Sequence, residues 1–418
     1  MTEIFPFKGI LYNVSKVPIE EVLAPPYDII TPEYQEILYK RSPFNIVRID
    51  YGKDLPGDNE KENRYTRARR YLETWLDEGI MIQSKRPAFY IYSMDYEINE
   101  QKKQIIGFLG LIGLKELGTG SILPHESTYS IPKRDRLNLL RTCSANISPI
   151  FSIYKSNEGL ISSLFSKIIQ TKPYIESKDD TGALHRLWQV DKDEEIAMIK
   201  RELRNKTVVI ADGHHRYETA LEYQREMRMQ RLFSKGNEPF DNVLMFFANM
   251  LDKGLTILPA HRLIKGIPED VDKVLSQYFE IEHINEDFDI TRRMSGRKNV
   301  FGFFKNDIKK WYLLHYKHDI SSEVSSNLKD IEVIVLHEVV FKKILKVTDI
   351  DYEMDIQKAL DKVRSGQFEA VFFLNPTKVE DVEKAALSSI RMPPKSTYFF
   401  PKLLTGIVIN RFNAERSK

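Results

Sequence analysis

The chain has 418 residues, more than one hydrophobic core ordinarily serves, so two or three domains are expected. Its 62 Lys and Arg against 60 Asp and Glu leave a formal charge of +2, which gives neither the basic field that draws nucleic acid nor the acidic excess of a disordered chain. With 42% hydrophobic residues and a single cysteine, Cys143, the composition is that of a globular protein without an intrachain disulfide or a cysteine zinc cluster.

Taken in chain order, the stretch up to Ala24-Pro25-Pro26-Tyr27-Asp28 is extended and proline-marked, and a helix is expected from Pro32 to Lys40. Residues 43–51 alternate like a strand. Residues 60–79 place Tyr65, Ala68, Tyr71, Leu72 and Trp75 on one helical side before Gly79. Ala88–Tyr96 and Ile105–Leu114 read as strands paired around a polar turn. Residues 122–141 read as a loop leading into a basic helix, and Ser148–Tyr154 as a strand. Further helices are expected over 160–171 and 193–204, and strands over 184–190, 242–250 and 256–263.

Beyond about Lys265 the helical segments are 268–279, 330–345, 356–364 and 379–389, and the strands are 300–304, 310–316 and 370–374. A last strand is expected over 405–408. The fold class is therefore mixed α/β (α+β). A main mixed-sheet domain is expected over 1–264, and a smaller C-terminal α/β domain over 265–418, its tail returning to the main one. Apolar runs such as Ile105–Leu114 are too short to span a bilayer, and MTEIFPFKGI lacks a signal pattern, so no membrane partner and a cytoplasmic location are expected. Oligomeric state leaves no signal.

The most informative stretch is 206–221, KTVVIADGHHRYETAL. Thr207–Ala211 is a short β-branched apolar run, Asp212-Gly213 breaks it, and from Arg216 the spacing of Tyr217, Ala220, Leu221 and Gln224 is helical. A strand-to-helix junction exposes free amides at the positive end of a helix dipole, which favours anions. Gly213 lets a ligand approach the backbone, and Arg216 offers a planar fork matched to phosphate. Asp212 and His215 are candidate acid/base groups, with His214 supporting the phosphate. The competing structural reading is a capped helix whose Arg216 pairs with a nearby acid.

Secondary clusters are weaker. Glu126, after His125, is a candidate base or a turn cap; Lys133-Arg134-Asp135-Arg136 grips phosphate or simply opens a solvated helix. Lys395, Ser396, Thr397, Tyr398 and Lys402 combine cations with hydroxyls, and Asp28 is a carboxylate on a stiff loop or a helix cap. His261-Arg262 would come beside the junction only if the two strands paired. No His-Glu-x-x-His, no Gly-x-x-x-x-Gly-Lys-Ser/Thr and no Gly-x-Gly-x-x-Gly occurs.

Nine segments in order resemble the domain-of-unknown-function family 1015: APPYDII (24–30), NIVRID (45–50), LPHEST (123–128), PKRDRLNLL (132–140), NISPIFSIY (146–154), LW (187–188), ADGHHRYETAL (211–221), ILPAHRLI (257–264) and MPPKSTYFFPKL (392–403). The family name promises no activity. The segment Asp212–Arg216 is also similar to the Gly-x-x-Arg junction of the ParB/sulfiredoxin-like superfamily, which includes partition proteins, sulfiredoxins and free-serine kinases. That resemblance implies a nucleotide phosphate held by Gly213 and Arg216; the junction lacks a cysteine, so sulfiredoxin chemistry is not implied. The function expected is an enzyme acting on a phosphorylated small molecule or nucleotide, as phosphotransferase or phosphohydrolase; the alternative is a non-catalytic nucleotide sensor. Catalytic candidates are Asp212, His215 and Glu126, and phosphate ligands Gly213, His214, Arg216, Lys133 and Lys395. The cofactor is left open between Mg²⁺ and a nucleotide or pyrophosphate, and no protein ligand set for a metal is identified.

Overall fold

A computed structural model describes residues 2–118, 120–128, 130–157, 159–230, 238–284, 289–306, 310–317 and 331–412. The chain divides into two units: one of Met1–Pro124, Thr128–Thr256 and Pro401–Lys418, the other of His125–Ser127 and Ile257–Phe400. Among the described residues no helix is long and apolar enough to cross a membrane.

The first unit is built on a nine-stranded sheet. Its strands are β1 (Ile4–Phe5), β2 (Phe89–Ile98), β3 (Gln101–Gly113), β4 (Ile122–Pro124), β5 (Ile150–Tyr154), β6 (Ile175–Lys178), β7 (Leu184–Val190), β8 (Val208–Asp212) and β9 (Asn242–Asn249). They run in the order β4-β8-β5-β9-β3-β2-β7-β6, with β1 pairing β3. β8 lies parallel to β4 and antiparallel to β5, and β9 parallel to β5 and antiparallel to β3, so the sheet is mixed. β2 and β3 form a hairpin whose two turn residues, Asn99 and Glu100, both have positive φ (49° and 61°), the backbone that matches strand twist in a two-residue loop.

Two expectations fail here for identifiable reasons. Residues 43–51 are not a strand: Val47–Asp50 is a short helix, α1. The Asn45 side chain accepts from Val47 N at 3.0 Å and donates to Glu21 O and Leu23 O, which fixes the turn locally. The apparent alternation reflects a segment buried on several sides, with Ile46, Val47 and Ile49 fully covered. Residues 405–408 are not a strand either; Thr405 and Ile409 make isolated bridges to Ala24 and Ile10. In addition, the expected loop at 122–124 is strand β4.

The helices of this unit include α2 (Arg64–Asp77), α3 (Ser130–Cys143), α4 (Asp193–Leu203) and α5 (His214–Gln230). α2 starts at Asn63, whose side chain accepts from Tyr65 N and Thr66 N in a capping box with Thr66. Ile199 and Leu203 of α4, and Tyr217, Ala220 and Leu221 of α5, pack with Phe89, Phe108, Ile150, Val208, Ile210 and Phe247 of the sheet in one buried cluster. That burial holds the helix after β8 in place.

The second unit carries a six-stranded sheet of β10 (His261–Ile264), β11 (Phe279–Ile284), β12 (Val300–Lys305), β13 (Lys310–Tyr316), β14 (Ile350–Glu353) and β15 (Ala370–Phe373), in the order β11-β13-β12-β15-β10-β14. Its helices include α6 (Val271–Tyr278), a π-wound helix α7 (Val335–Leu345), α8 (Ile356–Arg364) and α9 (Val379–Leu387). The helix expected over 330–345 begins at Glu332, Asp330 lying outside the described residues.

In the first sheet a Cβ on Gly107 would come 2.3 Å from the Phe247 carbonyl oxygen and 2.5 Å from the Phe246 ring. Neither neighbour is free to move in a packed sheet, so Gly107→Ala is expected to cost about 2–3 kcal/mol in denaturant unfolding. A change below about 0.5 kcal/mol would show that the central strands separate more easily than this packing implies.

Candidate functional site

The sequence turns sharply where β8 ends. Pairing with β5 jumps from Ile210–Ser152 to Asp212–Phe151, so Ala211 is an extra residue in the strand. Such a bulge re-aims the side chain that follows it, here Asp212. Gly213 has φ +94°, a region that costs other residues strain. Its carbonyl accepts from Tyr217 N at 3.0 Å, the first turn of α5. Tyr217 is fully buried, and its hydroxyl donates to Lys115 O at 2.7 Å, which pins that turn to a neighbouring segment.

Arg216 folds back across this corner. A Cβ on Gly213 would lie 2.8 Å from Arg216 Nε and 3.0 Å from Cζ and Nη2. The guanidinium thus occupies the space a side chain would take. Nη1 donates to Pro149 O, and Nη2 lies 3.9 Å from Asp212 Oδ2. The same carboxylate oxygen accepts from Lys402 Nζ at 3.0 Å. Side-chain exposure is 12% for Arg216, 22% for Asp212 and 10% for Lys402, so the three charges meet in a largely dehydrated setting.

On its other side Arg216 lines a cavity of about 40 Å³ with Asp50, Arg136, Asn146, Ser148 and Thr219. Asp50 Oδ1 accepts from Arg136 Nη1 at 3.0 Å, while Oδ2 is buried with no hydrogen-bond partner among the described residues. Burial raises the Asp50 carboxyl above its ordinary range, and Arg136 and Arg216 only partly oppose it. Arg136 also grips Asp135 through Nε at 2.7 Å and stacks 3.9 Å from the Tyr27 ring centre. Burial would raise Asp135 as well, but Arg136 and Arg64 together hold it below the ordinary value. Burial pushes the Tyr27 hydroxyl up to about 12.

The expected site residues are distributed as follows. Asp212, Gly213 and Arg216 meet as the junction predicted, and Lys402 joins them. His214 is buried and His215 partly exposed on the first turn of α5. Lys133, on α3, pairs with Glu218 of α5, which also accepts from Thr128 Oγ1 at 2.8 Å. Glu126 and Lys395 belong to the second unit. There Glu126 Oε1 accepts from Lys395 N at 2.8 Å and Glu126 O from Arg391 at 3.0 Å, so this carboxylate ties down the turn at 391–395. His261 and Arg262 lie on β10, which pairs with β14 and β15 and not with β8. Asp28 is exposed, and the helix cap nearby is Thr31, which accepts from Tyr34 N.

Asp50 escaped the sequence reading because its segment was taken as a strand. The signal for it was an acid next to the apolar residues Ile46, Val47 and Ile49. Among the described residues no three His, Cys, Asp or Glu side chains converge as a metal site.

Two measurements follow from this geometry. Gly213→Ala forces both an unfavourable φ and displacement of the guanidinium, and is expected to cost about 1–2 kcal/mol in chemical denaturation; an unchanged midpoint would mean that Arg216 is not held over the glycine. For Asp50, a folded-state pKa above the ordinary 3.8 means the native chain holds more protons than the unfolded one between the two values. The stability it confers is complete below the unfolded value and is lost as pH rises through the folded one. The stability of wild type minus that of Asp50→Asn should therefore fall with rising pH above about 4, by at most about 1.4 kcal/mol per pH unit. A difference that rises instead would show an ionised carboxylate stabilised by Arg136.

Residues 4–361 match the family described as "Protein of unknown function (DUF1015)". No curated protein matches. Solved structures with some likeness include a conserved hypothetical protein from Pyrococcus furiosus, 16% identical over 67% of this chain and 87% of that one, with a TM-score of 0.33. Another is a free serine kinase in complex with AMP, 14% identical over 71% and 98%, TM-score 0.35. A third is SbnI with a C-terminal truncation from Staphylococcus aureus, 11% identical over 71% and 85%, TM-score 0.37. Identities and TM-scores of this size leave the chemistry of the junction to its own residues. The match over 4–361 does establish kinship: the chain belongs to the DUF1015 family.

Proposed function

We propose that the first unit binds a small phosphate-bearing molecule or nucleotide at the β8–α5 junction and acts on it as a phosphotransferase or phosphohydrolase. The observation that carries this reading is the triple of Arg216, Asp212 and Lys402 around the glycine corner, at the start of a 17-residue helix. A phosphate entering there would exchange the weak contact between Arg216 and Asp212 for a bidentate pair and would meet the amides of the first turn. His214 and Lys133 would support it from α5 and α3.

Asp212 and His215 are the proposed acid/base groups next to the phosphate. Asp50 joins them as a proton carrier, because burial lets its carboxyl keep a proton to higher pH than an exposed carboxyl would. Mg²⁺, if used, needs only one or two carboxylates beside the phosphate oxygens, and Asp212 is placed to be one. A hydroxy amino acid or its phosphate is the substrate class proposed. All of this uses residues of the first unit alone.

One observation favours the second reading, a nucleotide sensor without turnover. The cavity beside Arg216 is about 40 Å³, room for roughly three water molecules and far below the usual ligand site of about 300 Å³ or more. A ligand must therefore open the contact between Arg216 and Pro149, and such an opening is itself a signal.

The test is thermal unfolding with ATP, ADP, CTP, pyrophosphate and phosphoserine, with and without Mg²⁺. At least one should stabilise the wild type, by about 2.7 kcal/mol at a hundred times its Kd, and Arg216→Gln should abolish the effect. If none of these ligands shifts the wild-type transition, the junction is a structural corner and both readings fall. Phosphorus NMR on a stabilising ligand then separates turnover from binding.

A further inference from the structure

The prolines before Tyr27 set a side chain against the junction's charged layer. Pro26 is extended (φ −60°, ψ 148°), and a single 3₁₀ turn, Tyr27–Ile29, follows it, closed by Ile30 N donating to Tyr27 O at 3.3 Å. Proline fixes its own φ, so the start of this turn is stiff. The Tyr27 ring lies under the Arg136 guanidinium, 3.9 Å from ring centre to Cζ. Arg136 is itself held by Asp50 through Nη1 at 3.0 Å and by Asp135 through Nε at 2.7 Å. A cation on the ring face and two carboxylates on the cation fix where the ring sits before any ligand arrives.

The ring is fixed, but its hydroxyl is not used. Tyr27 is half-buried, and among the described residues its hydroxyl makes no hydrogen bond. The charges that act on it are those of Arg136, Asp28, Arg216 and Asp50, so it stands in the field of the junction's own arginine. Its pKa of about 12 keeps it protonated, and so able to donate, throughout the neutral range. Arg216, Asp50 and Arg136 line one cavity, which a ligand enlarges when Arg216 leaves Pro149 O. A terminal phosphate has three non-bridging oxygens, and the fork of Arg216 takes two. Arg136 already donates through all three of its nitrogens, to Asp50 and Asp135. The third phosphate oxygen calls for another donor, and the Tyr27 hydroxyl is an uncommitted one.

We infer that Tyr27 is a ligand-binding residue of the β8–α5 site, its hydroxyl donating to the terminal phosphate oxygen that Arg216 leaves free, with Arg136 as the positioning residue that holds its ring. This rests on the junction reading and adds to it a donor from the 24–30 segment, which the strand-to-helix turn does not itself supply.

The experiment is titration calorimetry of the full chain with pyrophosphate, on the wild type and on Arg216→Gln, Tyr27→Phe and Tyr51→Phe. The wild type should bind and Arg216→Gln should not. Tyr27→Phe removes one hydrogen bond to a charged group and should lower the affinity about tenfold or more. It keeps the ring on Arg136, so its melting curve without ligand should match the wild type. Tyr51 is the control: its ring lies 6.4 Å from that of Tyr27, and Tyr51→Phe should bind within twofold of the wild type. A second reading needs no substitution: the Tyr27 Cζ resonance of carbon-13-labelled wild type should shift saturably with pyrophosphate. Tyr27→Phe binding within twofold of the wild type, an equal loss in Tyr51→Phe, or a Cζ resonance that stays in place overturns the inference. If Arg216→Gln is still defective in that case, the junction reading stands without Tyr27. If the wild type takes up no pyrophosphate, the inference falls, and the junction reading is judged on the remaining ligands.

Discussion

The positive φ of Gly213 is the constraint on which the first unit's site depends. It lets the chain turn from β8 into α5 with no side chain in the corner, and the vacant volume is filled by the Arg216 guanidinium. Any other residue there would compete with the arginine for the same space. The glycine therefore does two jobs with one conformation: it makes the turn, and it brings a cation back against the end of the strand that precedes it. The Ala211 bulge adds the third element by directing Asp212 toward Arg216 and Lys402.

Behind this corner lies a second layer of charge. Arg136 sits between Asp50 and Asp135 and against Tyr27, all within the first unit. A buried pair of this kind seldom adds net stability, because removing the charges from water costs about as much as the pairing returns. Asp50 bears most of that cost, with one oxygen unpartnered.

Much of this was legible in the sequence. The β-branched run Thr207–Ala211, the Asp-Gly break and the helical spacing after Arg216 each encode local structure, and the structure follows them closely. The β2–β3 hairpin was equally plain from its polar turn. What failed depends on distant partners. Alternation over 43–51 cannot reveal that Asn45 will bond Glu21 and Leu23 and wind the segment into a turn. Nor can composition show that the Lys402 ammonium reaches Asp212, 190 residues away in the chain. That Lys402 stands beside Asp212 is decided by tertiary structure alone.

The claim that the guanidinium over Gly213 is an anion grip, and not merely a filler of that corner, is tested most directly by the Nε–H resonance of Arg216 in a nitrogen-edited NMR spectrum, followed through a pyrophosphate titration. The account predicts a saturable shift of this resonance as the contact with the Pro149 carbonyl is given up. A resonance that stays in place throughout the titration would contradict it.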